Sequence, residues 1–248
     1  MKIRSAFTIL RAVTNPLEIK NLRPRAWVVW LTTILACGGR QHAQEPTPTQ
    51  PLPTAGLAAQ QVGVLPLTLV AADDSLHWEA LLAERRVALA KADSVLVTLL
   101  QARAPEVVWV LPDELRRAAR RAPGIAANPD QMGTAILLRG TKQQPEMVPD
   151  PLRGELRTLA ALAGGGRYAL VPAGLVFRRT VGPGVGGAQH AVPLESGTPP
   201  PIATAELTVV MVDVRTGRVG FRTVARGEGD DPWTALTRAV KSLTPGLP

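Results

Sequence analysis

From Val62 onward, short apolar runs alternate with longer stretches of helical spacing, and that rhythm predicts the elements. Residues 62–70 (VGVLPLTLV) have strand length and β-branched character, with Pro66 marking an edge or a bulge because it offers no backbone N–H. Asp73, Asp74 and Ser75 supply side-chain oxygens suited to a helix start. Trp78, Leu82, Arg85, Leu89, Ala92, Leu96 and Leu99 then recur at alternating spacings of four and three. This predicts one long helix to about Arg103 with a buried stripe that Arg85 interrupts. Residues 106–111 (EVVWVL) read as a second short buried strand. Pro112-Asp113-Glu114 opens a helix through Arg121, stopped by Pro123-Gly124. Asn128-Pro129-Asp130 caps a short helix to about Arg139. A helix over 151–163 turns Leu152, Leu156, Leu159 and Leu162 to one face, and Gly164-Gly165-Gly166 ends it.

The last third is the most legible, and residues 218–227 alternate mostly apolar against polar. Residues 168–177 form a strand, and 205–214 and 218–227 form two more joined by the tight turn Arg215-Thr216-Gly217. Asp231 then caps a final helix to about Leu243, with Pro232 at its first position. The order β-α-β-α-(α)-α-β-β-β-α predicts a single α/β (α+β) domain over residues 62–248. Its mixed sheet has about five strands, a C-terminal β-meander and flanking helices. Residues 180–203, dense in Gly and Pro, read as a flexible loop within it.

Upstream the pattern changes. Arg23 and Arg25 precede an 11-residue, mainly apolar run, 26–36, that ends at Cys37, the lone cysteine. A membrane-spanning helix needs about 20 apolar residues, so the run is too short to span. Basic flank, short apolar core and small residue at the cut describe an export signal over 1–37, cleaved and acylated at Cys37. The 25 residues ahead of the apolar core are long for such a leader. Plain secretion and a cytosolic start with a buried thiol are the competing readings. Gln41-His42-Ala43 fits ordinary cleavage poorly. A cytosolic start leaves the Pro/Gln/Thr-rich stretch that follows, 38–61, unexplained; composition makes that stretch an extended tether. An acylated Cys37 would attach the protein to a membrane surface. Gly38, which follows it, points to the outer membrane of a two-membrane cell, facing the periplasm.

Charge then changes the picture. The formal net charge is +8, but residues 1–37 hold six basic side chains and one acidic, so only +3 belongs to the remainder. A nucleic-acid partner is therefore not expected.

Several short segments carry a resemblance. They are Val64-Leu65-Pro66-Leu67, Gly166-Arg167-Tyr168-Ala169-Leu170-Val171, the hairpin from Val212-Asp213-Val214 through Arg215-Thr216-Gly217 to Arg218-Val219, and Gly227-Glu228-Gly229. Together they resemble a group of envelope lipoprotein domains. The group includes the curli secretion lipoprotein, the lipoprotein activators of penicillin-binding proteins and the N-terminal domain of the Tol–Pal translocation protein. The resemblance implies a lipid-tethered module that binds an envelope protein partner, in envelope assembly or cell-wall synthase regulation. The Gly/Pro loop lacks the alternation of a membrane-crossing hairpin, so no secretion pore is expected.

Candidate chemistry is sparse. Gly182-Pro183-Gly184-Val185-Gly186-Gly187 lacks the Lys-Ser/Thr ending of a phosphate cradle. His77 and His190 are too few for a zinc cluster, and neither a Gly-x-Ser-x-Gly elbow nor a nucleophile–base set stands out. No catalytic residue, metal or cofactor is assigned. Asp73/Asp74 and Asp230/Asp231 sit at helix starts, where capping accounts for them. Arg116, Arg117, Arg120 and Arg121 stack on one helix, as a solvated face near its C-terminus or as a site for an acidic partner or other anion. The leading reading is a non-enzymatic, protein-binding envelope lipoprotein. An envelope hydrolase and a structural subunit are the alternatives. An exposed apolar patch beside the arginines would favour the binder, and a deep pocket with convergent polar groups the enzyme.

Overall fold

The structure is a computed structural model that describes residues 48–139, 146–180 and 202–244. Cys37, its leader and nearly all of the 180–203 loop lie outside the described residues. The strands are β1 (Gln61–Val64), β2 (Val70–Ala72), β3 (Val108–Val110), β4 (Tyr168–Arg179), β5 (Ala203–Asp213) and β6 (Arg218–Gly229). The α-helices are α1 (Glu79–Leu82), α2 (Arg85–Arg103), α3 (Pro112–Arg121), α4 (Leu152–Leu162) and α5 (Pro232–Leu243). They form an α+β unit around an open mixed sheet of six strands ordered β3-β1-β4-β5-β6, with β2 also paired to β4. β1 runs parallel to β3 and β4, β2 runs parallel to β4, and β4-β5-β6 is the expected antiparallel meander.

The sixth strand arises because the apolar run 62–70 is two strands. β1 pairs with β4 at Tyr168–Leu170 and β2 further along at Leu175–Phe177. Between them the chain leaves the ladder around Pro66, and β4 carries a register shift between Pro172 and Gly174. Proline cannot donate to a ladder, so the two irregularities fall where prolines stand.

The long helix predicted over 73–103 is also broken. A 3-10 turn at Asp74–Leu76 is followed by His77 in the left-handed region (φ 53°), then the short α1, then α2. Asp73 does not cap a helix; its Oδ2 accepts from the backbone N–H of Arg179 at 3.3 Å. The buried line of α2 is Ala88, Ala92, Leu96 and Leu100, joined by a carboxylate, Asp93. The helix expected after Asn128 is two 3-10 turns, Pro129–Gln131 and Thr134–Leu138, although Asn128 does accept from Asp130 N–H. Asp231 caps α5 as its sequence predicts, accepting from Trp233 and Thr234 N–H.

The sheet has a core on each face. α2 and α5 cover one, where Leu96, Leu100, Leu236 and Val240 meet Leu170, Phe177, Leu207 and Val209. α3 and α4 cover the other over Val171, Val210 and Val212. Where that cover stops, β4, β5 and β6 carry an ion ladder: Glu206 accepts from Arg178 at 2.9 Å and from Arg226 at 3.1 Å.

The predicted tether is shorter than its composition suggests. Leu52 and Leu57 are 5% and 4% exposed, and Leu52 N–H donates to Leu243 O at 2.8 Å. Thr49 Oγ1 accepts from Arg226 N–H and donates to Val224 O, along the outer edge of β6. From Thr49 the segment belongs to the folded unit, because its scattered leucines fill the end of the α2–α5 core. Residues 146–148 cover the other end of that edge, with Val219 N–H donating to Glu146 O and Val148 N–H to Gly217 O.

α5 lies on β6 so closely that a Cβ at Gly227 would stand 2.1 Å from Ala239 N and 2.5 Å from Ala235 O. Both neighbours are backbone and cannot rotate aside. Gly227→Ala should therefore lower unfolding free energy by about 3 kcal/mol, read by urea denaturation. A loss below about 1 kcal/mol would show that α5 can lift without cost.

A basic helix face divided by a buried carboxylate

α3 forms because Pro112 sits at its first turn, Asp113 and Glu114 meet its N-terminal dipole, and Arg120 and Arg121 meet its C-terminal one. Pro112, Leu115, Ala118 and Ala119 face inward. The four arginines, which the sequence places on one face, separate in space.

Arg116 turns inward. Its guanidinium donates to Asp93 at 2.8 Å, to Asp130 at 2.7 Å and to Asp113 at 2.8 Å. Asp93 is 6% exposed, and its other oxygen accepts from Leu67 N–H at 2.8 Å. Burial is the largest influence on the Asp93 carboxyl and holds it above the usual aspartate range, against the Leu67 and Arg116 bonds that pull it down. Hydrogen bonding to Asp130, and then to Asp93 and Asp113, holds Arg116 above its ordinary value against burial. A guanidinium saturated by three carboxylates is a fastener and is not available to a partner.

Arg117, Arg120 and Arg121 remain exposed. Arg117 reaches Glu114 only at 4.0 Å, and neither Arg120 nor Arg121 makes an ion pair among the described residues. Arg117, Arg121 and Glu114 border an open hollow of about 480 Å³, with Leu162, Ala163 and Gly164 from the end of α4 as its other wall. Leu162, placed by its spacing on one face with Leu152, Leu156 and Leu159, is 37% exposed there. Beyond α3, Ile125 is 73% exposed. The basic surface thus has apolar neighbours.

A second open hollow, about 400 Å³, lies at the other end of α4. Asp150, Arg153 and Arg157 line one side, and Val214, Arg215 and Thr216 of the β5–β6 turn the other. Arg153 is paired with Asp150 at 2.6 Å. The sequence does not single out these arginines. Their i,i+4 spacing on α4 is legible, but that Arg215 meets them depends on where the hairpin folds. Asp93 is the other residue overlooked; a lone aspartate inside the apolar run ALAKADSVLV is its signal.

The space between β1, β4 and the α3–α4 layer is about 20 Å³, lined mainly by apolar groups such as Leu65, Val110, Leu115 and Leu156. That is room for about one water molecule. Among the described residues no three His, Cys, Asp or Glu side chains converge as a metal would require.

No protein-family model matches the chain, and no curated protein matches its sequence. Among solved structures, the LpoB C-terminal domain from Salmonella enterica is similar at 13% identity and TM-score 0.28, over 70% of this chain and 84% of that one. A hypothetical protein from Chlamydia trachomatis, CT253, is similar at 12% identity and TM-score 0.31, over 69% and 73%. Similarity at this level bears on no functional residue.

Removing the cation leaves Asp93 buried and unpaired. Arg116→Ala should cost about 3 kcal/mol, while Arg117→Ala and Arg121→Ala should each change stability by less than about 0.5 kcal/mol. Equal losses on denaturation for all three would contradict the division of the face.

Acid titration gives a second check. A raised folded-state value means that the Asp93 contribution is complete below its unfolded value and is lost as pH rises through the raised one. Glu206, Asp213 and Asp231 are lowered, so they lose their contribution as pH falls through their lowered values. Between neutrality and about pH 4, wild type should therefore gain stability relative to Asp93→Asn. Parallel stability–pH curves would show that Asp93 carries no such linkage.

Proposed function

We propose that this protein is a lipid-anchored bacterial envelope protein whose folded part is a non-catalytic module that docks an acidic surface of a partner protein. Arg117, Arg120 and Arg121 of α3 make the contact, with Leu162 and Ile125 as its apolar complement. The observation that carries this reading is the exposed Leu162 beside Arg117 and Arg121 in one open hollow. Protein interfaces combine desolvated apolar contacts with arginines, whose forked donors bind carboxylates in two places at once. Exposed charges of one sign also speed the encounter with an acidic surface. Cys37, carrying lipid, would hold this module at the periplasmic side of the outer membrane.

The anchor and the surface are separately testable. Cys37→Ser should abolish acyl labelling and release the protein from membranes on fractionation; unchanged membrane association removes the anchor. Crosslinking in cells followed by mass spectrometry should recover an envelope protein with wild type. The Arg117→Glu/Arg121→Glu double variant should lose it by tenfold or more, about 1.4 kcal/mol, with its thermal unfolding unchanged. Recovery of no envelope partner, or of the same partner at equal yield from the double variant, would remove the proposed surface.

A further inference from the structure

The sheet has a half-empty place. β3 pairs with β1, and β2 continues the track of β1 along β4. The chain leaves β3 at Val110 and turns into α3 at Pro112, so among the described residues no strand lies beside β2. Leu175 N–H donates to Leu69 O and Asp73 N–H to Phe177 O, which assigns the odd-numbered residues of this segment to the β4 side. In a strand, alternate residues point their backbone groups to opposite neighbours. Val70 and Ala72 therefore turn N–H and C=O outward, and among the described residues nothing pairs with them. They face an open groove of about 250 Å³, with Trp78 and Leu82 along it and Asp74 and Glu79 among its walls.

Two features say what this place accepts. Thr68, two residues before Val70, has its C=O taken by the Arg85 guanidinium at 2.8 Å, so this edge already receives a donor that is not a strand. Asp74 and Glu79 are exposed and form no ion pair among the described residues, whereas the one basic side chain lining the groove, Arg85, is committed to Thr68. The opposite edge is managed differently: β6 is covered at Arg218–Val219 by residues 146–148 and at Thr223–Arg226 by Thr49 and Gln50. Open edges invite strand addition unless something blocks them, and among the described residues no segment covers β2 as these segments cover β6.

We propose that β2 is a strand-addition site for an extended segment of a partner protein, which pairs with Val70 and Ala72 and sets a Lys or Arg against Asp74 and Glu79. Main-chain hydrogen bonds supply the affinity of such a contact, and the side chains that flank the groove supply its selectivity. The site lies on β2 and α1, apart from the arginines of α3.

The probe is a synthetic peptide of sequence Lys-Val-Thr-Val-Lys-Val-Thr, titrated into the full ¹⁵N-labelled chain and followed by NMR. Amide shifts should centre on Val70 and Ala72. The same peptide N-methylated at alternate amides should bind about tenfold more weakly, since it forfeits the ladder hydrogen bonds. Asp74→Lys/Glu79→Lys should weaken the unmodified peptide several-fold. Equal affinity for the methylated peptide, or no shift at β2 with millimolar peptide, overturns the proposal; neither result depends on a variant that must fold. Concentration-dependent dimerisation that disappears in Ala72→Pro would give the place to a second copy of this chain and overturn it as well.

Discussion

A carboxylate taken out of water must be met by donors, and Asp93 is where that requirement shapes this protein. One of its oxygens holds the backbone of Leu67, between the first two strands, and the other holds Arg116. α2 belongs to the core on one face of the sheet and α3 to the core on the other, so this contact joins the two layers. Burying an ion pair stabilises little against an apolar alternative, but once it is buried neither partner can be removed alone. The arrangement withdraws one arginine from α3 and leaves the other three to face solvent. The candidate surface is therefore a consequence of packing as much as of charge.

The sheet shows a similar economy of position. Pro66 divides one apolar run into two strands that share β4, and α3 removes the chain from the track beside the second of them. Covering segments meanwhile close the far edge of β6. The unit thus presents two unlike surfaces: a basic helical one on the α3–α4 layer, and an open strand edge flanked by carboxylates.

Much of this fold was legible in the sequence. The meander and its turn follow from three apolar runs of strand length, the last of them mostly alternating, and from Gly217, whose φ of 75° matches the need for a residue without a Cβ. The capped α5, the proline-led α3 and the leucine face of α4 were equally plain. Three things were hidden. Helical spacing from Trp78 to Leu99 continues across a break, because periodicity counts side chains and does not see His77 enter the left-handed region. Composition made 38–61 a tether, yet Leu52 and Leu57 suffice to seat its second half. The arginine stack was visible as a stack, but its separation depended on Asp93, which lies on α2 and is joined to α3 only by tertiary structure.

The seating of Thr49 on β6 has a mechanical side. If Cys37 carries lipid, the leash is the stretch between Cys37 and Thr49, whose contour cannot exceed about 40 Å at 3.3–3.6 Å per residue. That leash grips an edge of the sheet, not its middle. With strands about 4.8 Å apart, β2 lies three strand spacings from the gripped edge. A pull from the membrane would then load the β6 side first, peeling Thr49 and Gln50 from their few hydrogen bonds before it reached α5. The short leash would act as a strain gauge at one margin of the domain, while the open strand edge on the far side of β4 stayed slack.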